Sequence, residues 1–327
     1  MHVRRSADRL GGMEGSPRLP SLAHQGDAMR VRVGCEFQFE STHPVTTVML
    51  VGTRADGAHR TIYESRWAEP ALPIRDFRDA FANSCWRIDI PVGESTIRYD
   101  AVVDVDDEPD PRHPEALLVP PAELPDDVLG FTLPSRYVES DQVADRAWEL
   151  FGNYPPTWER VQAVCDWVHE NIRYDPAAIV PHGTARGLLD RRAGVCRDFA
   201  LLVTAFCRAL NIPARYTFGY LPDIAVDPPD TPMDFHAWSE VYIANRWYTF
   251  DARHNMPRVG RVVVGFGRDA ADVAMTTSYG ALDLRQMTVW AEEVATAVAE
   301  PLPRLAPLEP VLPAHMTHEQ LLGGGVR

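Results

Sequence analysis

From Met29 onward apolar and polar residues alternate: Val31, Val33, Cys35, Phe37 and Phe39 are interleaved with Arg32, Gly34, Glu36 and Gln38. A period of two marks a strand with one face buried. Short runs of the same type follow (VTTVMLVG, HRTIYESRW, SCWRIDIP and STIRYDAVVDV), with no long stretch of helical period among them. Residues 29–106 therefore read as a small antiparallel β-sandwich. The acidic, proline-rich DDEPDPRHPE opens a linker or crossover over residues 107–139, and PSRYVES leads into a second domain over 140–299.

That domain begins with helices. Ser140 is placed to cap a helix with Val143, Ala147, Leu150 and Phe151 on one face. Thr157 is placed to cap a second, whose Val161, Val164, Cys165, Val168 and Ile172 recur at helical spacing. A third helix starts near Val195, carries Phe199, Leu202, Val203, Phe206 and Leu210, and ends at Asn211 before Pro213. The period then returns to two in ARYTFGYL, HAWSEVYI, RWYTFDA, GRVVVGFG and QMTVWAEEVA. Helices followed by an antiparallel sheet predict an α+β fold for the second domain. Residues 1–28 and 300–327 lack any period and read as disorder and a loose tail, with Met29 as an alternative start.

Charge and composition narrow the function. With 32 basic and 46 acidic side chains the net charge is −14, which disfavours nucleic acid and anionic membrane as partners. Every basic side chain is Arg, so a lysine nucleophile, Schiff base or P-loop lysine is excluded. Five cysteines at scattered positions form no disulfide framework and no CxxC metal pair. No apolar run approaches the ~20 residues of a membrane span, and the N-terminus lacks the apolar core of a secretory signal. A reducing, cytoplasmic setting is the expectation.

The chemistry concentrates in two places. GVCRDFALL sets Cys196 at the first turn of the third helix, where unpaired N–H groups and the macrodipole favour an anion and offer an oxyanion site. Cys35, Cys85, Cys165 and Cys207 read as small core residues, Cys207 on the apolar face of that same helix. In MDFHAWSEVYIANRWYTFDA, His236 begins one strand and Asp251 ends the next around a tight turn at Ala244-Asn245. If Ile243 faces Arg246, Asp251 is the diagonal neighbour of His236 on one sheet face. Nucleophile, base and orienter of the base then make a thiol triad. Tyr174 is a second oxyanion candidate, and Trp238 and Glu240 share the His236 face and are placed to line the site. Arg197 and Asp198 read as a solvated or ion-paired first turn, Arg268-Asp269 as a structural turn, and Pro222–Asp234 as a loop running to the rim.

In chain order GVCRDFA, NIPARYTFGYL, FHAWSEVY, WYTFDARHN and GFGRDAADV resemble the bacterial transglutaminase-like superfamily, over roughly residues 140–290. Residues 29–106 resemble the β domain often joined to it. The resemblance implies a papain-like core with Cys196 as nucleophile, His236 as base and Asp251 as orienter. It further implies a protein or peptide substrate and no cofactor. DARHN stands where many relatives have DPTNN, which keeps the Asp and alters the loop after it. The expected reaction proceeds through an acyl-thioenzyme, with hydrolysis favoured over transfer of a glutamine acyl group to an amine. A binding module with a vestigial triad is the alternative from another class. A metal hydrolase built on His236, Asp234 and His254 has poor spacing and no HExxH, and no EF-like loop offers a calcium site.

Overall fold

The computed structural model describes residues 29–294 apart from 228 and 230; the segments expected as disorder (1–28) and tail (300–327) lie outside these residues. The N-terminal strands are β1 (Met29–Ser41), β2 (Val45–Met49), β3 (Arg60–Glu69), β4 (Arg75–Arg78), β5 (Ser84–Ile90) and β6 (Gly93–Val105). Along β1, Val31, Val33, Cys35, Phe37 and Phe39 are all buried, as the alternation requires. β1 pairs with β6 along its length, from Met29 opposite Val105 to Ser41 opposite Gly93.

The crossover is more ordered than a linker. It holds helix α1 (Asp126–Leu129), and its Leu124 and Val128 pack against Tyr242. Helices α2 (Ala144–Phe151), α3 (Trp158–Asn171), α4 (Ala185–Arg191) and α5 (Cys196–Ala209) follow, with β7 (Arg173–Tyr174) and β8 (Ala193–Gly194) as a short parallel pair. Thr157 caps α3 by accepting from the Glu159 N–H. Ser140 does not cap α2: residues 140–143 form a 3-10 turn, and the α-helix begins at Ala144 without a side-chain cap. The short α4, with too few residues to show a helical period, has no counterpart in the sequence reading.

Four strands complete the second domain's sheet: β9 (Ala214–Tyr220), β10 (His236–Ile243), β11 (Arg246–Phe250) and β12 (Val262–Gly267), in the order β11-β10-β9-β12. The last strands depart from expectation. β13 (Thr276–Ser278) pairs with β2, and β14 (Asp283–Glu293), expected in the second domain's sheet, pairs with β1. The sandwich is thus made of sheets β14-β1-β6-β3 and β13-β2-β5-β4, drawn from both ends of the described chain. Pattern alone could not assign this strand, because a period of two fixes a face and carries no partner.

Candidate active site

Helix α5 starts where the extended Val195 (φ −111°, ψ 177°) hands over to Cys196. Asp198 accepts from the Val195 N–H at 3.0 Å, which closes the first turn. Of the solvated or ion-paired first turn expected at Arg197-Asp198, the structure shows the ion-paired form. Asp198 is fully buried and ion-paired with Arg197 and Arg191. Gly194 makes room for it, since a Cβ there would stand 2.6 Å from the Asp198 Oδ2. Cys196 is half-buried, whereas the other four cysteines are buried. Burial pushes the thiols of Cys35 and Cys207 up to about 12 and that of Cys85 up to about 11.

Ala244 (φ 47°) and Asn245 (φ 63°) both take the left-handed conformation that a two-residue hairpin turn requires. The turn sets Ile243 opposite Arg246 and Ser239 opposite Phe250, the register anticipated from the sequence. His236 Nε2 donates to Asp251 Oδ2 at 2.8 Å. That leaves Nδ1 as the free ring nitrogen; Cys196 Sγ, which donates to the Phe235 carbonyl at 3.9 Å, lies in the same cleft beside the imidazole. Burial pulls the His236 pKa down, but the adjacent Asp251 carboxylate and the Cys196 contact outweigh it and hold it at about 9. Asp251 is buried, yet the charges of His236 and Arg261 keep its carboxyl well below the usual range.

Arg261 and Asp110 complete the constellation, and neither was singled out from the sequence. Arg261 Nη2 donates to Asp251 Oδ2 at 2.8 Å, and its Nε lies 2.8 and 3.0 Å from the two Asp110 oxygens. Its guanidinium also covers the Trp238 ring at 4.9 Å. A chain of polar contacts Asp110–Arg261–Asp251–His236 therefore joins the crossover to the cleft that holds Cys196. Asp110 and Asp251 lie more than a hundred residues apart, so no local spacing could announce the link.

A solvent-open cleft of about 910 Å³ contains Cys196 and His236. Asp234, the last residue of the loop expected to reach the rim, lines it, as do Tyr216 and Phe218 of β9. Trp238 and Glu240 do not. Ser239 bonds to the Ala200 carbonyl and Thr204 of α5, so its face of β10 is the one covered by that helix. Residues 236, 238 and 240 point to the other face, and His236 meets Cys196 because it is the strand's first residue. Trp238 is fully buried, its ring stacked 6.2 Å from that of His236, and Glu240 is bound by Arg215 at 2.6 Å. The alternation was correct, but the cleft opens on the opposite face. Tyr174 stands outside the cleft lining, its ring under the Arg253 guanidinium at 3.6 Å. Arg268 pairs with Asp272 in a turn, while Asp269 is buried and accepts from the Tyr137 N–H.

Ligand atoms of His236, Asp251 and His254 lie within 4.8 Å of one another; Asp234 is not part of the group. Two guanidiniums border it. Arg261 donates to Asp251, and Arg258 Nη1 is 3.3 Å from His254 Nδ1. Burial pushes the His254 pKa down to about 3. Their positive charge opposes a cation at this position.

A family model for the transglutaminase-like superfamily matches residues 145–252, a span that includes Cys196, His236 and Asp251. A solved structure, "Putative Cysteine Protease from Cytophaga hutchinsonii", is 31% identical with a TM-score of 0.76, over 83% of this chain and 92% of that one. An uncharacterized protein of Mycobacterium tuberculosis is 31% identical over 218 residues, 60% of this chain and 68% of its own length. Another from Mycobacterium leprae is 31% identical over 139 residues, 40% of this chain, and the match spans 49% of that protein. No helix among the described residues is long and apolar enough to cross a membrane.

Proposed function

The chain belongs to the transglutaminase-like superfamily, and from that premise we propose that it is a thiol enzyme cleaving amide bonds through an acyl-thioenzyme on Cys196. The observation that carries this is the Cys196–His236–Asp251 arrangement at the mouth of an open cleft. In the reaction His236 takes the proton from Cys196 Sγ, and the sulfur adds to the substrate carbonyl carbon. The carbonyl electron pair moves onto oxygen, near the first-turn N–H groups of α5. When it returns, the C–N bond breaks and the amine leaves with the proton from His236. Water then attacks the thioester as His236 accepts its proton; the acid departs and the proton returns to sulfur. Asp251 holds the imidazole with Nδ1 toward the thiol.

Hydrolysis is the favoured outcome, supported by the cysteine-protease name of the 31%-identical Cytophaga protein. Acyl transfer to an amine shares the same intermediate and differs only in the second nucleophile. Five unpaired cysteines fit a reducing, cytoplasmic setting.

The test is substoichiometric iodoacetamide followed by peptide mapping, then turnover of a peptide library read by mass with and without a small primary amine. Cys196 is expected to be labelled first, and Cys196→Ala to abolish turnover. Because His236 must be protonated to release the amine and titrates at about 9, turnover should fall as the pH rises through that value. Faster labelling of Cys35 or Cys85, or turnover surviving in Cys196→Ala, would refute the assignment.

A further inference from the structure

Resting on the thiol-enzyme reading above, we propose that the cleft beside Cys196 is a specificity pocket for a medium or large apolar side chain. The substrate is then a peptide bearing a residue such as Leu, Met or Phe next to the scissile carbonyl, in preference to a glutamine carboxamide. The cleft has two walls. Tyr216 and Phe218 of β9 form one, 5% and 4% exposed. Val273, Met275 and Met287 form the other.

Two residues of the second wall, Met275 and Met287, come from the sandwich side. Met287 lies on β14, opposite Phe37 of β1, and the Phe37 ring is 6.5 Å from that of Phe235, the residue preceding His236. Met275 directly precedes β13, and its carbonyl accepts from the Leu50 N–H at 2.9 Å. The β domain therefore closes the active-site cleft with two methionines, whose flexible thioethers adapt to differently shaped apolar groups.

Arg197 and Asp234 of the lining each hold a backbone partner. Arg197 Nη2 donates to the Val180 carbonyl at 2.7 Å, and Asp234 Oδ1 accepts from the Phe235 N–H at 2.7 Å. Hydroxyls of Tyr137, Tyr216 and Thr276 add polarity. A carboxamide carries two donors and an oxygen with two lone pairs; with the Tyr137 hydroxyl 3.5 Å from His182 Nδ1, the hydroxyls of Tyr216 and Thr276 leave part of it unmet. Unmet polar groups lose affinity in an apolar pocket, whereas an aliphatic or aromatic side chain gains it by leaving water.

The test compares second-order labelling rates of the full chain with peptidyl acyloxymethyl ketones bearing Leu, Met, Phe, Gln or Asp at the acyl position. Iodoacetamide serves as the reference for thiol reactivity. Leu, Met and Phe probes should label Cys196 at least tenfold faster than Gln or Asp, and a Leu-to-Gln ratio below threefold overturns the pocket. Met287→Gln should lower the Leu-probe rate, normalised to iodoacetamide, about tenfold; Met275→Gln is the second variant should the first fail to fold. An unchanged normalised rate in the folded variant also overturns it. Failure of iodoacetamide to select Cys196 refutes the thiol-enzyme reading itself, so the two failures are distinguishable.

Discussion

Asp251 Oδ2 receives two donors, His236 Nε2 and Arg261 Nη2, each at 2.8 Å. One oxygen thus orients the imidazole and is itself fixed by a guanidinium locked onto Asp110. Arg261 touches no part of the cleft lining, so it acts as a positioning residue. Arg261→Gln should lower kcat about tenfold or more while KM moves within about twofold, because ground-state binding is left alone. Arg261→Lys retains the charge without the two-sided fork and should recover only part of the loss. Equal losses in kcat and stability for the Lys and Gln variants, with KM shifted in proportion, would reduce Arg261 to a structural role. At this scale the placement of Cys196 at a helix start and of His236 against Asp251 was legible, since helix start and hairpin register are local features. Arg261 and Asp110 were hidden because their pairing depends on how the crossover lies across the sheet.

The position of Cys196 depends on how one helix begins. α5 has no hydroxyl or amide cap; instead the buried Asp198 reaches back to the Val195 N–H, and the absence of a Cβ at Gly194 lets its carboxylate in. Gly194→Ala should therefore cost about 1–3 kcal/mol through displacement of a buried carboxylate. It should also slow alkylation of Cys196 in the folded protein, read by melting and by labelling below the transition. An alanine variant with wild-type Tm and labelling rate would show that Asp198 can move at no cost. Element existence was largely readable from period: the stripe on α3, the apolar face of α5 and five of the sandwich strands all appear where expected. What period could not carry was partnership. β14 reads as one more strand of the second domain until its pairing with β1 is seen.

At the scale of the molecule, the return of β13 and β14 makes the two domains share their chain as well as their boundary. Among the described residues the main core runs continuously from Val31 to Ala291, with Leu124, Val128 and Tyr242 as a small separate cluster. Polar ties cross the same boundary. Tyr220 donates its hydroxyl to the Val51 carbonyl at 2.7 Å, and the Arg54 N–H reaches the Val263 carbonyl at 3.0 Å. The fully buried Asn83 bonds both the N–H and the carbonyl of Phe266, at 3.1 and 2.9 Å. Neither half can open without exposing apolar surface and orphaning buried polar groups of the other, so they should unfold as a single cooperative unit. Calorimetry should give one transition whose van't Hoff and calorimetric enthalpies agree. Asn83→Ala tests the coupling directly, because it removes both bonds to Phe266 and leaves two backbone groups unmet at the boundary. It should lower that one Tm by roughly 3 °C or more, with loss of far-UV signal and of Cys196 protection moving together. Two resolved transitions in the wild type, or a variant in which Cys196 becomes reactive well below the temperature at which the β signal is lost, would show that the sandwich is a separable domain and that the cleft wall it supplies can be withdrawn.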